Sequence, residues 1–117
     1  MYMIDLQSRV PIYEQLYGCV KNMLMDGEIK PGDKLPSVRE MSKELGVNPN
    51  TVTKAFQALE RDKIIYTVPG RGSYAADIIN DKFREDALVE FDKASQNALR
   101  LGVSADTLIQ RIKEMES

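Results

Sequence analysis

The chain has no histidine, no tryptophan and a single cysteine, Cys19, in 117 residues. Each shortage excludes something. Without histidine, the residue that most often serves as general base or metal ligand near neutral pH is missing. One thiol and no imidazole cannot assemble a zinc site, which is built from several such groups, so no metal or cofactor is expected. One cysteine also forbids an internal disulfide, as suits a reducing compartment, and a cytoplasmic location follows as an expectation. No apolar run approaches the roughly 20 residues that cross a bilayer, so no membrane partner is expected. The N-terminal "MYMIDLQSRVPIYEQ" lacks a basic start followed by an apolar block, and no secretory signal is expected there. Carboxylates, lysines and hydroxyls form no catalytic grouping, so the chain is not read as an enzyme.

What remains is a globular composition, 43% hydrophobic and 29% charged. The length gives room for one core plus an appendage. The net charge of −2 is uneven. Residues 28–76 carry eight Lys/Arg against six Asp/Glu, while residues 77–117 carry six against nine. A mildly basic middle leads into an acidic tail. Local charge steers a polyanion, so the overall sign does not exclude nucleic acid.

Periodicity predicts five helices and a hairpin. Pro11 suits the first position of helix one, whose stripe is Ile12, Leu16, Val20, Met23 and Leu24, with Gly27 as its stop. Cys19 lies near that stripe and reads as a small buried residue. Lys34 and Leu35 can form a very short strand. "SVRE" is a capping box, Ser37 with Glu40, and helix two runs to about Leu45 with Val38, Met41 and Leu45 inward. Gly46 allows a sharp turn. Asn48 is an N-cap, Pro49 takes the first position of helix three, and Val47 with Val52 can staple its start. Val52, Ala55, Phe56 and Leu59 share one face; Asn50, Lys54, Gln57 and Arg61 share the opposite one. Two helices around a tight glycine turn make a helix-turn-helix. "IIYTVPGRGSYAA" then reads as a hairpin, with Arg71 at its tip between Gly70 and Gly72. Helix, short strand, helix-turn-helix and hairpin together describe a winged helix.

"PGDKLPSVREMSKELGVNPNTVTKAFQALERDKII" followed by "GRGSYAA" resembles the DNA-binding domain of the GntR family of bacterial transcription regulators. "PIYEQL" and "VNPNTV" resemble its short YtrA-like branch. The resemblance implies a homodimer on a double-stranded operator with twofold symmetry, probed by a recognition helix over about residues 48–61. Recognition helices present their N-terminal residues to base edges. Asn50 can pair with adenine, Thr51 can meet a thymine methyl, and Lys54 reaches phosphate or guanine one turn on. Gln57 is a further candidate on the same face. Arg39 matches a family arginine that approaches DNA from helix two, with Ser37 and Ser42 as phosphate contacts. Arg71 suits the negative potential of the minor groove, which Gly70 and Gly72 let the backbone approach. The chain departs from the family where Pro49 and Thr53 replace frequent arginines. Thr53 is counted with the DNA-facing residues, and the balance shifts toward A·T-rich contacts. Lys63 stands where the family usually has glycine, which predicts strain if that backbone is left-handed.

The fold expected is mainly α with a small β-hairpin: a winged helix-turn-helix over residues 1–76 and a two-helix dimerisation tail over 77–117. In the tail, Phe83, Ala87, Leu88, Phe91, Ala94 and Ala98 form one inward stripe. After Gly102, Ser104 caps a last helix with the stripe Leu108, Ile109, Ile112 and Met115. Two short amphipathic helices cannot bury both stripes alone. They either lie on the winged helix or pair with a second chain, and symmetry favours pairing, which makes Phe83, Leu88, Phe91, Leu108, Ile109, Ile112 and Met115 interface residues. About forty residues cannot enclose a ligand pocket like that of larger family members, and the sequence names no small-molecule effector. The competing function is a winged-helix adaptor for proteins, since fold alone does not fix function. A polar helix face and an arginine wing argue against it.

Overall fold

In the order of the chain, α1 (Ile12–Met25), α2 (Val38–Leu45) and α3 (Pro49–Arg61) precede a hairpin of β1 (Ile65–Val68) and β2 (Gly72–Ala75). Two further helices follow, α4 (Asp81–Arg100) and α5 (Ala105–Glu116). This computed structural model describes residues 3–78 and 81–116. The architecture is mainly α with one small antiparallel hairpin. The chain falls into two compact units, Met1–Ile79 and Asn80–Ser117.

In the first unit, α1 starts one residue later than its proline suggests. Pro11 is the N-cap, with ψ at 143°, and its carbonyl accepts from Glu14 and Gln15 N–H at 3.0 and 3.1 Å. The reason lies in the preceding segment. The Gln15 amide donates to the carbonyls of Asp5 at 3.0 Å and Val10 at 2.8 Å, and accepts from Asp5 N–H at 2.8 Å. That clamp keeps Pro11 extended and leaves Ile12 to begin the helix.

The core is the meeting of three helical stripes with the hairpin. Leu16, Val20 and Leu24 of α1, Met41 of α2, and Val52, Ala55, Phe56 and Leu59 of α3 are buried against Ile64, Ile65 and Ala75. Cys19 is half-buried beside Met23, as a packing residue. Val38 and Leu45 are only half-buried, so Met41 carries the inner face of α2. Burial on this scale stabilises by about 1.5–3 kcal/mol for each large aliphatic side chain.

The helix-turn-helix is fixed by local bonds. Ser37 Oγ accepts from Glu40 N–H at 3.0 Å, and Glu40 Oε1 accepts from Ser37 N–H at 3.2 Å, which completes the capping box. Gly46 ends α2 at φ 68°, a conformation that a side chain would oppose. Asn48 Oδ1 accepts from Asn50 N–H at 2.8 Å, with Pro49 first in α3. At the far end of α3, Lys63 N–H donates to Glu60 and Ile64 N–H to Leu59, at 3.0 and 2.9 Å. This is a Schellman arrangement, and it holds Lys63 at φ 61°, where glycine is preferred.

The hairpin pairs Ile65 with Ala75, Tyr66 with Tyr74, Thr67 with Ser73 and Val68 with Gly72. The Lys34–Leu35 strand reduces to a single antiparallel bridge, Lys34 with Tyr74.

In the second unit, Ser104 Oγ accepts from Thr107 N–H at 3.1 Å and caps α5. The inward placement expected of the apolar stripes is not met within one chain. Leu88 is 62% exposed, Ile109 49% and Met115 78%; Phe91 and Ile112 are also exposed, as are Ala87 and Ala94. Phe83, Leu108 and Ala98 are half-buried. The physical reason is size: two short helices offer each other too little surface to cover both stripes.

Candidate nucleic-acid interface

Two packed helices and a turn tip carry the polar residues singled out above. Because Val52, Ala55, Phe56 and Leu59 anchor α3 inward, helical geometry turns Asn50, Lys54 and Gln57 to solvent. All three are exposed, and Thr51 and Thr53 are half-buried at the flanks of the same face. The Asn50 N–H is occupied by the Asn48 cap. Its side-chain amide makes no hydrogen bond among the described residues, so both donor and acceptor remain available.

Lys54 is different. Its ammonium stands 4.0 Å from the centre of the Tyr13 ring, a cation–π contact between α3 and α1. Sequence reading missed Tyr13. Its place beside the apolar stripe of α1 marks it as helical, but nothing local links it to a residue so far along the chain.

On α2, Arg39 is exposed. Among the described residues it makes no ion pair with Glu40 or Glu44; Glu40 is engaged in the capping box instead. Ser37 Oγ serves that cap as an acceptor and keeps its hydroxyl proton to donate elsewhere. Ser42 does not. Its hydroxyl donates to the Val47 carbonyl, while Val47 N–H returns a bond to the Ser42 carbonyl at 3.2 Å. The phosphate contact expected of Ser42 is therefore corrected: its proton locks the turn between α2 and α3.

At the hairpin tip Arg71 is exposed, with its N–H bonded to the Val68 carbonyl at 2.9 Å and its guanidinium unpaired among the described residues. Gly70 at φ 77° and Gly72 at φ 122° shape this tip. Tyr66 and Tyr74 stack behind it at 5.7 Å.

The opposite end of α3 is tied to α1 by a hydrogen bond from Tyr17 Oη to Asp62. Burial and the adjoining carboxylate push the Tyr17 phenol up to about 12. The bond from Tyr17 holds the Asp62 carboxyl below its ordinary value, with help from Arg61. Arg61 lies 3.5 Å from Asp62 and is partly neutralised by it, unlike Arg39 and Arg71. Among the described residues, no group of acidic or cysteine side chains could hold a metal ion, and no helix is long and apolar enough to cross a membrane.

Comparison with known proteins agrees with this geometry. The pattern of bacterial regulatory proteins of the gntR family matches residues 12–74, more than half of the chain. The HTH-type transcriptional repressor YtrA of Bacillus subtilis is 39% identical over 100% of this chain and 93% of its own. A GntR family transcriptional regulator from Listeria monocytogenes superposes with a TM-score of 0.76 at 30% identity, over 93% of this chain and 98% of that one. The DNA-binding domain of AraR in complex with operator ORX1 superposes with a TM-score of 0.59 at 26% identity, over 63% of this chain and 95% of that one. The winged-helix DNA-binding domain, the family pattern over residues 12–74 and the match to YtrA along the whole chain place the protein in the GntR family of bacterial transcription regulators, in its YtrA-like branch.

Proposed function

We propose that the protein is a dimeric repressor that acts in the cytoplasm on operator DNA of twofold symmetry. Residues 1–76 bind the DNA and residues 77–117 join two chains. The observation that carries the reading is the exposed N-terminal face of α3, where the Asn50 amide has no partner among the described residues. That face enters the major groove, Asn50 and Thr51 meet base edges, and Thr53, Lys54 and Gln57 line the approach. Ser37 and Arg39 at the start of α2 contact the backbone. Arg71 enters the minor groove, with Gly70 and Gly72 against the sugar edges. The repressor named YtrA and the AraR domain bound to an operator support this use of the fold.

Dimerisation rests on the exposed stripes. Leu88 and Phe91 of α4, with Ile109, Ile112 and Met115 of α5, leave apolar surface in water that a second copy would cover. Phe83 and Leu108, half-buried already, border it. A symmetric pair sets two recognition helices about 34–36 Å apart, one turn of DNA.

Selection of preferred duplexes from a random pool tests the proposal. Enrichment of a palindrome with half-sites one turn apart, bound less tightly as salt rises, is the expected result. No enrichment, with binding flat in salt, would favour a protein-binding adaptor.

A further inference from the structure

We propose that Lys34 is a second cation of the wing, holding a DNA phosphate beside Arg71. Residues 32–35 run beside β2, joined to it by the single Lys34–Tyr74 bridge and the bonds around it. Gly32 N–H donates to Ala75 O at 2.7 Å, Ala75 N–H to Asp33 O at 2.8 Å, and Leu35 N–H to Ser73 O at 2.8 Å. These bonds set Lys34 opposite Tyr74. Bridge partners share a face of a sheet, and so do residues two apart. Leu35 and Ala75 therefore turn to the core, where both are buried, and Lys34, Tyr74 and Gly72 turn outward.

The Lys34 stem runs along that outer face to the tip. A Cβ on Gly72 would stand 3.0 Å from Lys34 Cε and 3.8 Å from its Nζ. The ammonium thus lies against Gly72, the residue after Arg71. It is exposed and makes no ion pair or hydrogen bond among the described residues. An exposed ammonium without an acidic partner gains little in the free protein. It gains when an anion stands beside it. The fitting ligand is a phosphodiester oxygen, which a lysine meets as a point charge without regard to base sequence.

This inference rests on the DNA-binding reading above, and the two can fail separately. The experiment uses the full chain, the selected duplex and a scrambled duplex of equal length, across a salt series. Wild type is measured first; binding flat in salt would sink the parent reading and this inference with it. Given a steep wild-type slope, Lys34→Met keeps the stem and removes the charge. The slope of log affinity against log salt should then flatten by about 0.9 for each wing seated on DNA. Affinity should weaken equally on both duplexes, and Lys34→Arg should restore the slope. Thermal melting should stay unchanged. An unaltered slope overturns the inference. So does weaker binding at unaltered slope with a lower melting temperature, which would mean that Lys34 only packs the hairpin.

Discussion

Lys63 and Asn50 show two ways in which one residue departs from its surroundings. Lys63 sits at φ 61° because the Schellman bonds at the end of α3 demand a left-handed residue there. A side chain in that conformation costs about 1–2 kcal/mol, whereas glycine costs about 0.5–1 kcal/mol in lost chain freedom. Lys63→Gly should therefore raise stability by about 0.5–1 kcal/mol, read as a higher denaturant midpoint at unchanged slope. Asn50 spends its N–H on a cap, and its amide makes no hydrogen bond among the described residues. If that amide pairs with a base, Asn50→Ala should cost about 1–3 kcal/mol at one position of the operator and relax discrimination there. Competition among single-base operator variants reads this; an equal loss on every variant would mean that Asn50 does not read a base.

At the scale of elements, α3 is anchored at each end by different chemistry. Its start is held by a local cap and by the Ser42 bond across the turn; its end is held by Tyr17 against Asp62. The second anchor depends on pH in a defined sense. The phenol is pushed up to about 12 from 10.0, so its contribution is whole below pH 10 and is lost as pH rises through about 12. The carboxyl is lowered from 3.8, so its contribution is whole above that value and is lost as pH falls through the folded one. Asp62 is well exposed, so Tyr17→Phe should cost only about 1 kcal/mol near neutrality. Denaturant midpoints against pH should show the two proteins converging at both extremes. Ultraviolet titration of wild type should show a phenolate step near 12 that Tyr17→Phe lacks.

These contrasts also separate what the amino-acid order made legible from what it hid. Ser37 with Glu40, Gly46, and Asn48 with Pro49 act within a few residues of themselves, so their spacing announces the helix-turn-helix. The wing was legible for the same reason, since Gly70 and Gly72 flank the tip. Tyr13 with Lys54, Tyr17 with Asp62, and Lys34 with Gly72 join distant segments, and only packing brings them together. Ser42 was misread because a hydroxyl near the turn has a carbonyl within reach as well as solvent. Of the tail, periodicity gave the apolar faces but not what covers them.

For the whole molecule, the exposed stripes of α4 and α5 make the proposed dimer open to measurement. Leu88→Asp with Ile109→Asp places charges on surface that is already solvent-exposed in one chain. The first unit should keep its melting transition, while sedimentation should change from two chains to one. Operator affinity should fall steeply, since each half-site is then bound alone. A variant that still sediments as two chains would show that other surface joins them. A further consequence follows from α5, none of whose own residues is buried. Helices this short are marginal in water without a partner, so under the dimer reading their order is purchased from a second molecule. Occupancy of the operator then scales with the square of how much protein is present, and dilution alone, without any signal molecule, releases the DNA.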